Sequence, residues 1–215
     1  MKRIGIITAI LLIGATTFAQ EQQTTTEPAL TPKFGIRGGI NFSNLYVSDV
    51  SSENLKVGFN AGVYAKIPVV QGFSIEPEIL YTVKGAQENY NNNVQGSGAY
   101  QFNLNYIEVP ILGVINIARN FNIHVGPYFS ILTSANVQDV DKNGNITGAT
   151  ELNKDDFKSF DWGLVGGAGF DIDNVTLGAR YNYGLEQIGN SGLAGSLTQN
   201  SKNSVISVYV GFTFQ

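Results

Sequence analysis

The chain has 215 residues, no cysteine, 13 basic and 17 acidic residues, and only 14% charged residues against about 25% in an average soluble protein. With a net charge of −4, one histidine and no Cys, it offers no basic stripe for nucleic acid, no disulfide framework and no His/Cys metal centre. Tyr, Phe and Gly are abundant instead.

The first residues read as an export signal. Lys2 and Arg3 precede the apolar run Ile4–Phe18, and Thr17-Phe18-Ala19 places small residues at the −3 and −1 positions of a cleavage site. Residues 1–19 are therefore expected to be a signal peptide. Without Lys2 and Arg3 the mature chain carries 11 bases against 17 acids, near −6. Residues 20–32, rich in Gln, Thr, Glu and Pro, read as a flexible periplasmic leader. Residues 33–215 form the domain. No later stretch approaches the roughly 18 uncharged apolar residues of a membrane helix, so any bilayer is crossed by strands.

From Lys33 on, apolar and polar residues alternate with the period of two that sends strand side chains to opposite faces. In Lys33–Tyr46, Phe34, Ile36, Ile40 and Phe42 share one face, and Gly35, Arg37, Gly39 and Asn41 the other. A polar loop, 47–54, leads to Leu55–Val69, with Val57, Phe59, Ala61, Val63 and Ile67 against Asn60, Tyr64 and Lys66. Gln71-Gly72 is a tight turn. Phe73–Gly85 puts Ile75, Ile79, Tyr81 and Val83 opposite Ser74, Glu76, Glu78, Thr82 and Lys84, and Pro77 predicts a bulge or a local break. Ala86–Ala99 reads as a long loop. In Tyr100–Ile117 the apolar residues move from even to odd numbers near Tyr106–Ile107, as one inserted residue would cause, so a β-bulge is expected there.

Ala118–Asn120 is a short turn. Phe121–Thr133 sets Ile123, Val125, Phe129 and Ile131 against Asn122, His124, Tyr128 and Ser130. Ser134–Lys158 reads as the longest loop. Ser159–Leu185 is a hairpin about the turn Asp171–Asn174: Phe160, Trp162, Leu164, Ala168, Phe170, Leu177, Ala179 and Tyr181 lie on one face, and Asp161, Gly163, Gly167, Arg180 and Asn182 on the other. After the loop 188–203, Ser204–Gln215 sets Ile206, Val208, Val210 and Phe212 against Ser207, Tyr209 and Gly211.

This is an all-β chain of eight strands whose connections alternate short and long, the pattern of an eight-stranded antiparallel up-and-down transmembrane β-barrel. Each strand reaches the roughly 9–11 tilted residues needed to cross. The charges decide the orientation. Mid-strand ionisable groups (Arg37, Lys66, Glu76, Glu78, Lys84, Glu108, His124, Asp161 and Arg180) fall on the polar face, which is otherwise Gly, Asn, Ser and Thr. An eight-stranded interior is just wide enough for side chains. The polar face is thus expected to line a filled lumen in which Arg37, Lys66, Glu76, Glu78, Glu108, Asp161 and Arg180 neutralise one another, with the apolar face toward lipid.

Taken together, FGIRGGINFSNL, FSIEPEILYTVKGA, LNYIEVPILGVI, HVGPYFSIL, DWGLVGGAGFD and RYNYGLEQI resemble the PorT-like outer-membrane β-barrel family, distantly similar to small OmpA- and OmpX-type barrels. The resemblance spans Phe34–Ile188 and the closing strand. It implies a barrel in the cell outer membrane of a Gram-negative bacterium, and little about a task. It also implies insertion by the barrel-assembly machinery, which reads an aromatic end of the last strand; here Phe214 is penultimate and Gln215 follows.

Candidate chemistry is sparse. Glu76 and Glu78 could pair for acid/base work, but charge pairing within the lumen explains them better. His124 reads as a hydrogen-bonded structural group. Asp139, Asp141 and Asn143 in DVDKNGNI follow the first positions of a calcium loop, with Gly144 at the turn, but the acid expected at the twelfth position, Glu151, arrives one residue late. The competing reading is an Asn-Gly turn. GLVGGAGF is no dinucleotide fingerprint, since strand alternation runs through it. The expectation is a non-enzymatic envelope protein without cofactor or assigned metal, with a structural or interaction role and with outer-membrane lipid as its partner. Two alternatives stand beside it. One is an accessory in protein secretion or adhesion, acting through the external loops with envelope or secretion proteins as partners. The other is a soluble secreted barrel that holds a hydrophobic ligand on an inward apolar face.

Overall fold

The computed structural model describes residues 30–46, 55–92, 96–190 and 201–214. The predicted signal peptide, the leader up to residue 29, the loop 47–54 and most of the last loop lie outside the described residues. Nine strands are present among the described residues: β1 (Lys33–Tyr46), β2 (Lys56–Val70), β3 (Phe73–Asn92), β4 (Gly96–Ala118), β5 (Phe121–Asp141), β6 (Ile146–Glu151), β7 (Phe160–Ile172), β8 (Val175–Gly184) and β9 (Lys202–Thr213). All pairings are antiparallel. The order β4-β3-β2-β1-β9-β8-β7-β5 is closed into a ring by β4 pairing with β5, and the first and last strands meet where Ile36 faces Phe212. Eight strands form the wall, as the alternation predicts.

The ninth strand comes from a segment expected to be loop. β5 is shared lengthwise: Phe121–Ile131 pair with β7, whereas Asn136–Val140 pair with β6. The described parts of the expected loop Ala86–Ala99 are likewise strand, because β3 and β4 pair up to Asn92↔Gly96. β3, β4 and β5 have 20, 23 and 21 residues. A membrane crossing needs about 9–11, so these strands continue well past the lipid and, with β6, form a four-stranded external sheet. Backbone pairing carries it, helped by side-chain amides that bond across strands: Gln101 Nε2 donates to Gln87 Oε1 at 3.0 Å and Asn103 Nδ2 to Asn136 Oδ1 at 2.9 Å.

The expected bulge is displaced to the neighbouring strand. Asn105 faces Ser134 and Tyr106 faces Leu132, so the extra residue is Thr133 of β5. β4 itself does not switch faces: Leu104 and Tyr106 point inward on the same side as Glu108 and are 1% and 0% exposed. They do so because Phe157 and Ile188, folded over the outer mouth, supply an apolar cover. At Pro77 the register is the same on both sides, Tyr64↔Glu78 and Ile67↔Ile75, so the proline interrupts ladder pairs without a bulge. The one bulge in this pairing lies between Pro68 and Val70.

The apolar face points outward along the whole wall. Phe34, Ile36, Ile40, Val57, Phe59, Val63, Leu164, Leu177, Val208 and Val210 are all about half exposed to the surroundings, and the charged parity is buried. This overturns the soluble-carrier alternative, which required the apolar parity inside. Aromatics end the band at both levels. Phe59, Phe160, Trp162 and Tyr181 lie toward the outer ends of their strands, with Tyr81 beside Phe59 and Phe129 paired with Trp162 at that level, and Phe34, Phe121, Phe170, Phe212 and Phe214 lie at or near the inner ends. That is the arrangement of interfacial girdles around a lipid-facing belt.

Candidate functional site: the charged lumen and its two mouths

The inward parity delivers the ionisable residues to the barrel axis in two layers. In the inner layer Glu78 lies between two guanidinium groups. Arg180 Nη1 donates to its Oε2 at 2.9 Å and Arg180 Nη2 to its Oε1 at 3.2 Å, while Arg37 Nη1 donates to Oε1 from the other side. Arg37 Nη2 also donates to Glu76 Oε1 at 2.9 Å. The guanidinium carbons stack on the Tyr209 ring, Arg37 at 4.4 Å and Arg180 at 4.5 Å from its centroid, and Arg37 on Tyr64 at 4.6 Å. Cation–π contact strengthens in such a dry setting.

In the outer layer Lys84 Nζ lies 2.5 Å from Glu108 and 3.7 Å from Asp161, over the Tyr128 ring at 4.4 Å. Asn182 donates to Glu108 at 3.0 Å, and Asn203 and Tyr128 donate to Asp161 at 2.8 and 3.1 Å. Between the layers, Asn41 donates to Thr82, and Asn60 to Asn41 and Ser207. The space left there, bordered by Asn41, Thr82, Lys84, Glu108, Arg180 and Asn182, is about 10 Å³, close to the minimum for one water.

Of the expected network, Arg37, Glu76, Glu78, Glu108, Asp161 and Arg180 are thus brought into contact with partners. Lys66 is not: it borders the periplasmic mouth and makes none of the ion pairs among the described residues. Lys84, on the polar parity, joins instead. Lys56 was missed because it stands at the edge of a loop; it is 1% exposed and its Nζ donates to the Val57 carbonyl at 3.3 Å. His124 is buried, with Nδ1 3.3 Å from Asn122 Oδ1 and its ring edge-on to Tyr209. Its neighbours are charged and aromatic lumen groups, not a hydroxyl with an orienting acid.

The outer mouth is closed. Leu104, Tyr106, Leu132, Ala135, Phe157 and Ile188 form a buried apolar cluster above Lys84. Backbone bonds hold the cover, Lys158 N to Ile188 O at 2.8 Å and Leu132 N to Ser159 O at 2.8 Å. Lys158 and Glu186 form an ion pair at its rim, which holds the Glu186 carboxyl below the usual range. The inner mouth is open: a vestibule of about 350 Å³ lies between Lys33, Lys66, Ser74, Asp171, Asp173 and Thr176.

The DVDKNGNI segment is the β5–β6 turn. Asp141 Oδ1 accepts the backbone N–H groups of Asn143 and Asn145, both at 2.8 Å, its Oδ2 accepts Asn145 Nδ2 at 3.0 Å, and Gly144 takes the left-handed φ of 85°. Asp139 faces the sheet and accepts the Tyr90 hydroxyl at 2.7 Å. Asp141 therefore caps a hairpin turn through Asn143 and Asn145, while Asp139 is engaged by Tyr90 in the sheet, which is the competing reading of this stretch. The hydrogen bond to Asp139 pushes the Tyr90 phenol up to about 12, because the bonded, protonated form is favoured beside a carboxylate. In Asp139→Asn the Tyr90 hydroxyl is expected to titrate near the ordinary tyrosine value of about 10, read from its ring carbon resonance against pH. A titration unchanged by the substitution would remove this contact from the external sheet.

A search of curated proteins gives no match. Among solved structures the chain is similar to Ail, the attachment invasion locus protein of Yersinia pestis, solved in complex with the heparin analogue sucrose octasulfate. Identity is 12%, with 85% of this chain and 99% of that chain covered and a TM-score of 0.48. Neisserial surface protein A gives 14% identity, coverage of 84% and 97%, and a TM-score of 0.48. OprG from Pseudomonas aeruginosa gives 14%, 86% and 96%, and 0.39. The family described as outer membrane protein beta-barrel domain matches residues 18–190, most of the chain. With its closed strand ring, lipid-facing apolar belt and buried charges, the chain belongs to the outer membrane protein beta-barrel domain family and is a protein of the outer membrane.

Proposed function

We propose that the protein is a non-catalytic outer-membrane barrel, closed to ion flow, that anchors an external β-sheet for contact with surfaces or proteins outside the cell. The observation that carries this reading is the pairing of a packed lumen with strands that run far beyond the lipid. The Lys84–Glu108–Asp161 and Arg37–Glu78–Arg180 layers and the Phe157–Ile188 cover support it by filling the barrel axis with paired and apolar side chains. The sheet built by β3, β4, β5 and β6 supplies an outward surface. We also assign the chain to the PorT-like branch of the barrel family, on the six stretches quoted above. Outer-membrane lipid and the barrel-assembly machinery are its proposed partners within the envelope.

Reconstituted in a planar bilayer, the protein is expected to give no large, steady single-channel current. Steady conductance would overturn the closed lumen. Trimming the β3–β4 hairpin beyond Ala86 and Phe102 to a short turn should leave a heat-modifiable barrel yet reduce retention of expressing cells on host or abiotic surfaces. Undiminished retention would remove the external sheet from the contact.

A further inference from the structure

Among the described residues most of the lumen's charges pair off, Lys56 excepted, whereas at the periplasmic vestibule they separate by wall. Lys33 of β1 and Lys66 of β2 are direct cross-strand partners, and like charges so placed oppose pairing. Neither forms an ion pair among the described residues. The nearby carboxylate of Glu76 is already engaged by Arg37 at 2.9 Å. Ser74, 5% exposed, borders the vestibule beside them, and its side chain makes no hydrogen bond to another described residue. The opposite wall is acidic. Asp171 is the penultimate residue of β7, and Asp173 is in the β7–β8 turn. Around the ring the order runs β2-β1-β9-β8-β7, so Lys66 and Asp171 stand four strands apart in a closed ring of eight, across its diameter. Asp171 accepts Asn122 at 2.9 Å and Thr176 at 2.6 Å, which fixes its carboxylate while leaving lone pairs free. Leu30, Pro68 and Val70 give the vestibule an apolar lip.

We propose that this vestibule binds a small zwitterion from the periplasmic side, its anionic group at Lys33, Lys66 and Ser74 and its cationic group at Asp171 and Asp173. A bare anion entering the space meets two carboxylates on the far wall, and a bare cation meets two ammonium groups. A molecule that carries both charges a few bonds apart, such as an amino acid or a short peptide, satisfies both walls. The volume of about 350 Å³ admits a molecule of that size.

The test uses the full mature chain refolded in lipid nanodiscs and followed by amide resonances of Gln71, Gly72, Asp173 and Asn174. Alanyl-alanine is expected to shift them saturably, and acetate or methylammonium at equal ionic strength to bind about tenfold more weakly, a difference of about 1.4 kcal/mol. Lys66→Met and Asp173→Asn should each weaken the dipeptide by a similar factor. Neither side chain holds a hydrogen bond to another described residue, and Asn tolerates the left-handed φ of 51° at residue 173. No saturable shift with alanyl-alanine, acetate binding as tightly as the dipeptide, or undiminished binding in Lys66→Met would each overturn the proposal.

Discussion

Replacing Glu78 with alanine is expected to cost about 3–5 kcal/mol of unfolding free energy, the range for removing one partner of a buried ion pair. Glu78 is the hinge of the inner layer: its two oxygens serve both Arg37 and Arg180, and all three side chains are at most 4% exposed. Arg37 keeps Glu76 after the change, but Arg180 loses its only carboxylate partner among the described residues. A guanidinium stranded in the lumen cannot shed its proton, so it must draw in water or distort the wall. Denaturant unfolding of the barrel in micelles measures the loss, with Glu78→Gln expected to fall between alanine and wild type because the amide oxygen still accepts. Glu78→Leu combined with Arg180→Met should recover much of the stability, since a buried pair exchanged for apolar side chains of similar size is often neutral. A loss below about 1 kcal/mol in Glu78→Ala would mean that the layer is wet.

Val210→Arg is expected to cost about 2–4 kcal/mol, the penalty for a cation on the lipid face near the bilayer midplane. Val210 is half exposed and paired with Gly38 and Leu177. It lies midway between Ile206 and Phe214, and its partner Gly38 midway between Phe34 and Phe42, so two neighbouring strands place this level at the centre of the belt. The same change at Phe214, at the inner girdle, should cost about 0–1 kcal/mol because the charge reaches the interface. Unfolding titrations in bilayers of defined thickness give both values. Equal costs at the two positions would contradict a lipid-facing belt centred on Val210.

Much of this architecture was legible in the chain. Period-two alternation assigns a residue to a face whatever its partner strand, so Arg37, Glu76, Glu78, Glu108, Asp161 and Arg180 could be placed in the lumen before any register was known. Height along the axis was not legible. Lys66 and Lys84 share the polar parity, but only pairing with Glu108 and Asp161 on other strands separates the outer-layer cation from the one at the mouth. Leu104 and Tyr106 look like lipid-facing residues until Phe157 and Ile188, distant in sequence, are seen to cover them. The strands were cut short for a related reason: Asn-, Gln- and Gly-rich segments resemble loops, yet a ladder is made by backbone groups, and Asn103 and Asn136 reinforce theirs through their amides. In DVDKNGNI the residue types suit either a cation loop or an Asx-capped turn, and the choice depends on where Asp139 and Asp141 aim their oxygens.

The unbroken passage of β3, β4 and β5 from lipid to exterior also governs how the molecule bears force. Ladder hydrogen bonds run across the strands, so a tug on the outer tip, directed along them, strains many bonds side by side instead of opening them one after another. A pull on the tip is therefore borne by the embedded wall as a whole, the loading in which a sheet resists separation most.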